Sequence, residues 1–135
     1  MLIPRPQEIK KNGSILKNKA IGKVENAFSP LLFRHYKDMI LADDSSPTIL
    51  EIKQDLSIEN EEEYHLIIQE DNIQIISKTE KAAFYGLVTL KQLQSEQTIE
   101  TQEIKDKPDL KVRGLMLDIS RAKVLKVSSI KKIID

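Results

Sequence analysis

The side chains best placed to do chemistry in this sequence are Asp118, Ser120 and Arg121, directly after the apolar run Leu115-Met116-Leu117. Charged residues just past a buried strand sit where its carboxyl end opens to solvent, and in barrels and open α/β sheets ligands bind at that end. The plainer readings are a surface arginine, or an ion pair that closes on Asp118. His35 and His65 are the two histidines, and metal ligation or base catalysis would be their chemistry. Neither has a partner at ligand spacing and the sequence holds no His-Glu-x-x-His, so no metal is expected. The acidic stretch 55–63 ends in Glu61-Glu62-Glu63 but fits no calcium-loop spacing, and a solvated loop is the expectation. Phe84 and Tyr85 could stack on a ligand ring, although a helix start packed on a sheet explains them equally well.

The element that must position Arg121 is the run 113–120. Apolar residues without alternation read as a strand covered on both faces, as in a parallel sheet, although periodicity alone leaves a buried helix open. Val127-Ser128-Ser129 then opens a helical pattern with Ile130, Ile133 and Ile134, and Ser128 is the expected N-cap. A strand that feeds a helix is the opening of a β/α repeat. Only 14 residues follow Arg121, too few to build a parallel sheet around it.

Upstream, residues 2–9 are extended and punctuated by Pro4 and Pro6, and Asn12-Gly13 is a turn ahead of Ser14-Ile15-Leu16. Together they read as a short edge hairpin, because proline cannot donate to a central ladder. Residues 19–24 are read as a further strand. Ser29-Pro30 starts a helix whose apolar face holds Leu32, Phe33, Tyr36, Met39 and Ile40, ending near Ala42. Residues 48–53 form a strand with Thr48, Leu50 and Ile52 on one face. Residues 64–68 and 73–77 flank the turn Glu70-Asp71-Asn72 as a hairpin. Ser77-Lys-Thr-Glu80 matches a capping box, and the helix after it runs to Gln94 with Ala83, Leu87 and Leu90 in one row. Gly86 inside that helix predicts a close approach to a sheet. Residues 98–104 form one more strand, and residues 106–109 make a turn at a domain boundary. The resulting fold class is α+β, a two-layer sandwich of a mostly antiparallel sheet with two helices on one face.

Composition narrows the partners. The chain has 135 residues, is 40% hydrophobic and 31% charged, and carries no net charge at neutral pH. A balanced charge without basic clusters argues against a nucleic-acid partner or an anionic membrane surface. No apolar run approaches the roughly 18 residues of a membrane span. Absence of cysteine rules out disulfides and thiolate metal sites. Prolines in Met1-Leu-Ile-Pro-Arg-Pro6 interrupt any signal-peptide core, so a cytoplasmic location is expected if Met1 is the native start. No cofactor is expected.

Several pieces in order carry a family pattern. Glu63-Tyr-His-Leu-Ile-Ile-Gln is followed by Ile73-Gln-Ile-Ile, then Ala83-Phe-Tyr-Gly-Leu-Val-Thr-Leu-Lys-Gln-Leu93, Asp106-Lys-Pro108 and Arg113-Gly-Leu-Met-Leu-Asp-Ile-Ser-Arg121. The chain resembles the amino-terminal, non-catalytic domain of family 20 glycoside hydrolases, the β-N-acetylhexosaminidases, ending just after the first strand of the catalytic barrel. That resemblance implies a small α+β domain over residues 1–108 and, over residues 109–135, the truncated first β/α unit of a (β/α)8 barrel. It implies that Arg121 hydrogen-bonds the terminal N-acetylhexosamine of a glycan in the full-length enzyme, where a rigid and permanently charged fork of donors suits sugar hydroxyls. Asp118 would be its orienting partner. In the family the substrate's own acetamido oxygen attacks the anomeric carbon, an exception to the two-carboxylate scheme, while a glutamate donates the proton and the preceding aspartate steadies the acetamido group. Asp-Glu does not occur here as a dipeptide, so no catalytic residue is expected in this chain. Where many members place histidine and aromatic residues after the arginine, this chain has Ala122-Lys123-Val124-Leu125. The implied partners are the chain's own downstream barrel and, through it, glycan. The alternative is a free-standing carbohydrate-binding or protein-interaction module without a barrel.

Overall fold

The computed structural model describes residues 2–29, 39–116, 118 and 124–134. Six strands and two helices occupy them: β1 (Glu8–Ile15), β2 (Lys23–Asn26), β3 (Ile49–Gln54), β4 (Tyr64–Ile68), β5 (Asn72–Ser77), α1 (Glu80–Gln94), β6 (Glu100–Asp106) and α2 (Val127–Ile134). The strands form a single sheet in the order β1-β6-β4-β5-β3-β2.

The β4–β5 hairpin stands where alternation placed it, with Ile68 opposite Ile73 and Leu66 opposite Ile75. Thr48, Leu50 and Ile52 are buried, as their spacing predicts. The sheet is mixed rather than mostly antiparallel. β1/β6, β6/β4 and β4/β5 are antiparallel, but β5/β3 and β3/β2 are parallel. A parallel neighbour in sequence needs a crossover of a dozen or more residues, and residues 27–48 supply it between β2 and β3. The helix expected over residues 29–42 falls in that crossover. Residues 30–38 lie outside the described residues, and the expected end at Ala42 is not helical: Ala42 instead bridges Ile21. The expected strand at residues 19–24 begins only at Lys23.

The edge hairpin expected from Asn12-Gly13 is a correction. Residues 8–15 form one continuous edge strand on β6, with a register irregularity between Lys11 and Ile15. Gly13, at φ 82°, serves that irregularity instead of a turn.

α1 lies across β4 and β5. Ala82, Ala83, Leu87, Leu90 and Leu93 pack on Tyr64, Leu66, Ile68, Ile73 and Ile75 to make the core. Gly86 allows that approach: a Cβ there would stand 2.8 Å from Ile75 Cγ2 and 3.2 Å from Tyr64 Cδ2. The cap differs from expectation. Thr79 is the N-cap and accepts from the Ala82 amide, whereas Ser77 is the last rung of β5. At its other end Gln94 is buried and fully used, donating to the Lys19 and Leu41 carbonyls and accepting from the Leu41 amide.

The strand expected over residues 113–120 is absent from the described part of that stretch. Residues 112–116 form no strand, and Leu115 and Met116 are 67% and 93% exposed. A parallel strand needs hydrogen-bonded neighbours on its edges and cover on both faces, and neither is present here. α2 follows, with Val127 and Ile133 exposed. Its first turn closes on the Lys126 carbonyl, which accepts from Ser129 and Ile130, so the helix starts ahead of the expected Ser128 cap.

Candidate functional site

Of the two residues expected to serve a ligand, Arg121 lies outside the described residues, and Asp118 is exposed in the stretch before it. What the described structure builds nearby is a cluster at the point where the chain leaves the sheet. Glu62 reaches Arg113 Nη2 at 2.7 Å through Oε1 and Nη1 at 3.4 Å through Oε2. Arg113 Nη2 donates to the Tyr85 hydroxyl at 3.0 Å, and that hydroxyl donates to Glu62 Oε1 at 3.2 Å. The guanidinium also stands 6.0 Å from the Tyr85 ring centroid, within cation–π range. Lys81 adds a second cation to Glu62, and Arg113 Nη1 donates back to the Leu110 carbonyl.

Each member is placed by local structure. Asn60 Oδ1 accepts from the Glu62 amide at 2.9 Å and turns the loop, while Thr79, besides capping α1, donates to the Glu61 carbonyl. Lys81 and Tyr85 are four apart, one turn of α1, and so share a face. The cluster therefore ties the loop 55–63, α1 and residues 110–113 to one another. The Arg113 and Lys81 hydrogen bonds hold the Glu62 carboxyl at about 2, far below its ordinary 4.5. The acidic stretch is thus a loop, as expected, but Glu62 is a structural anion within it, with a side chain only 17% exposed.

A second charged group lies on the strands beside it. Glu63 accepts from His65 Nε2 at 2.9 Å and pairs with Lys105 at 3.2 Å. Burial pushes Glu63 up most strongly, but the His65 and Lys105 bonds together outweigh it and leave it lowered. Asp43, Glu51, Asp55, Glu62, Glu63 and Glu96 all sit below their ordinary values. Glu62 and Glu63 owe this to bonds with Arg113, Lys81, His65 and Lys105, whereas Asp43 and Asp55 owe it to hydrogen bonds from Ser45 and Ser57. No group of metal-ligating side chains occurs among the described residues.

Around the cluster runs a groove of ≈ 420 Å³, with Ile3, Pro4, Val88 and Leu110 as apolar wall and Tyr64, Asp106 and Arg113 as polar ends. The strap 2–7 forms one side of it. Ile3 exchanges two backbone bonds with the Gln92 side chain, and Gln7 binds Asp106 through its amide and Asp109 through its side chain. The sequence marks Arg113 as the start of a strand and Tyr85 as either a ring-stacking or a packed aromatic, and neither expectation joins the two. No local pattern joins Glu62 to a guanidinium 51 residues away.

Comparison with known proteins places this arrangement. The family model described as glycosyl hydrolase family 20, domain 2, matches residues 1–107. A curated β-hexosaminidase of Porphyromonas gingivalis is 40% identical over an aligned stretch of 86 residues, taking in 56% of this chain and 11% of that protein. The β-N-acetylhexosaminidase structure from Bacteroides fragilis superposes with a TM-score of 0.82 at 22% identity, covering 99% of this chain and 30% of its own. The family 20 exo-β-N-acetylglucosaminidase of Vibrio harveyi gives a TM-score of 0.71 at 21% identity, covering 97% of this chain and 22% of its own. At those identities the two structures establish the fold, and the chain spans less than a third of each relative. Matched by the family model from residue 1 to residue 107, the chain belongs to glycosyl hydrolase family 20, of which it carries domain 2.

Proposed function

We propose that residues 1–108 are the non-catalytic small domain of a β-N-acetylhexosaminidase, and that residues 109–135 begin its catalytic barrel. In the full-length protein that enzyme hydrolyses terminal N-acetylhexosamine residues by substrate-assisted retention. The observation that carries the reading is the family match over residues 1–107, followed at once by the motif Arg113-Gly-Leu-Met-Leu-Asp-Ile-Ser-Arg121. Two features of the chain support it. Glu62 and Glu63 are engaged by cations, as structural anions are. Leu110, Val112, Leu115 and Met116 are exposed in succession, as a segment is when its covering elements lie elsewhere.

The Glu62–Arg113–Tyr85 cluster then acts as the anchor that fixes where the barrel chain departs from the small domain. Arg121 contacts the terminal sugar, with Asp118 orienting it, and no cofactor takes part. Sequencing the reading frame beyond Asp135 tests this. Continuation through several β/α repeats that include an Asp-Glu pair is the expected result, and a stop codon directly after Asp135 would instead favour a free-standing module.

A further inference from the structure

Asn12 is set apart from the other four asparagines of the chain. Asn18 Oδ1 accepts from the Ala20 amide, Asn26 Oδ1 from the Phe28 amide and Asn60 Oδ1 from the Glu62 amide, while Asn72 donates to Glu51. Each of those carboxamides is held, and each is followed by a residue with a side chain: Lys19, Ala27, Glu61 or Ile73. Asn12 is exposed, its side chain makes no hydrogen bond among the described residues, and Gly13 follows it. The backbone there also leaves the ladder. Lys11 stands opposite Gln102 and Ile15 opposite Glu100, so Asn12, Gly13 and Ser14 face the single residue Thr101. Three residues against one must bow away from the partner strand. Thr101 Oγ1 donates to the Ser14 carbonyl at 3.4 Å and fixes one foot of the bow. Gly13 sits in it at φ 82°, and a Cβ there would meet nothing within 4 Å. Asparagine is among the thermally labile residues. Its carboxamide is lost when the next residue's backbone nitrogen attacks it, which needs an open approach and a chain free to turn. A glycine in an open bow supplies both.

We propose that Asn12 is a site of spontaneous covalent modification, deamidating through a cyclic imide, and that the bow in β1 absorbs the product. The Gly13 nitrogen, having given its proton to base, bonds to Asn12 Cγ. The Cγ–Nδ2 bond breaks, and that nitrogen takes up a proton and leaves as ammonia. Water then adds to either imide carbonyl and breaks its bond to the ring nitrogen, leaving aspartate or isoaspartate at position 12. Water is the one co-reactant, and nothing is oxidised or reduced. The chain gains a carboxylate directly beside Lys11, which already pairs with Glu100. Isoaspartate also carries the main chain through Cβ and lengthens it by one atom. In a regular strand that would disturb the register. Here the bow already holds two residues more than its partner strand, so the rungs from Glu8 to Lys11 and at Ile15 stay in place. The site stands on β1 alone and is independent of the proposed function.

The test is a time course of the folded chain in mildly alkaline buffer at physiological temperature. Cleavage after lysine releases the peptide Asn12–Lys17, in which mass analysis and chromatography separate asparagine, aspartate and isoaspartate. A synthetic peptide of residues 10–17 is incubated alongside. Conversion at Asn12 in the folded chain is expected to run within about tenfold of the free peptide's rate and to outpace the other four asparagines by at least about tenfold. Both aspartate and isoaspartate are expected. Asn12→Gln should remove the signal from this peptide without changing the melting temperature, since the position is exposed. Conversion slower than in the free peptide by more than that factor would show that β1 protects the site, and overturns the proposal. Aspartate without isoaspartate, the mark of direct hydrolysis, overturns it equally. Circular dichroism melts of fresh and fully converted protein should coincide, and a lower Tm after conversion overturns the claim that the bow absorbs the added atom.

Discussion

Replacing Gly86 by alanine is the sharpest test of how α1 meets the sheet. The new Cβ would sit 2.8 Å from Ile75 Cγ2, well inside contact distance, and 3.2 Å from the Tyr64 ring. Neither neighbour can yield easily. Ile75 is fully buried at the middle of β5, and Tyr64 is held by a 2.6 Å hydrogen bond to Thr89, itself on α1. The helix must therefore lift, and overpacking of this kind costs about 1–3 kcal/mol. Against it stands the helix preference for alanine over glycine, worth about 1 kcal/mol. The balance is a net loss of about 1 kcal/mol, or roughly 3–5 °C in Tm for a chain of 135 residues. Gly86→Val sharpens the test, since it adds β-branched atoms to the same contact and forgoes most of the propensity gain. Circular dichroism melts of the three proteins measure both changes. A Gly86→Ala protein as stable as the parent, or more so, would refute the reasoning.

Thr79→Ala should cost about 0.5–2 kcal/mol by removing the α1 cap, and Ser77→Ala less, both read by urea unfolding. Tyr64→Phe leaves Thr89 without its short bond and should cost about 1–2 kcal/mol, with a non-additive Tyr64→Phe/Thr89→Val double mutant in the same assay. Because Glu62 is lowered from 4.5 to about 2, its contribution is complete above the unfolded value and is lost as pH falls through about 2. Acid titration of Glu62→Gln should accordingly lack the part of the parent's destabilisation that falls between those two values. Arg113→Ala should speed hydrogen exchange in residues 110–116 while leaving β4 and β5 protected, since its bonds tie only that segment to the loop and α1.

What could be read from the sequence was whatever is local and periodic. The β4–β5 hairpin follows from alternation across a three-residue turn, and α1 from its apolar row; Gly86 announced the close approach by being costly anywhere else in a helix. The sheet order was hidden because pairing across a crossover leaves no local mark: Leu50 opposite Ile73 is parallel for reasons that lie in the intervening chain. Asn12-Gly13 misled for the same reason. Its strand pairs with β6, which lies some 90 residues later, so a turn-forming dipeptide served as a bulge in an edge strand. Ser77 lost the cap to Thr79 because it was already committed to β5. At the junction, Glu62 and Arg113 meet only through tertiary folding, and the acids around Glu62 read as ordinary solvated loop.

The measurement that bears most directly on the whole account is hydrolysis of 4-nitrophenyl N-acetyl-β-glucosaminide by two purified proteins, side by side. One is the chain of residues 1–135, and the other is the product of the reading frame carried on beyond Asp135. The account predicts no turnover by the first and turnover with retained configuration by the second. Reproducible hydrolysis by the 135-residue chain itself would contradict it.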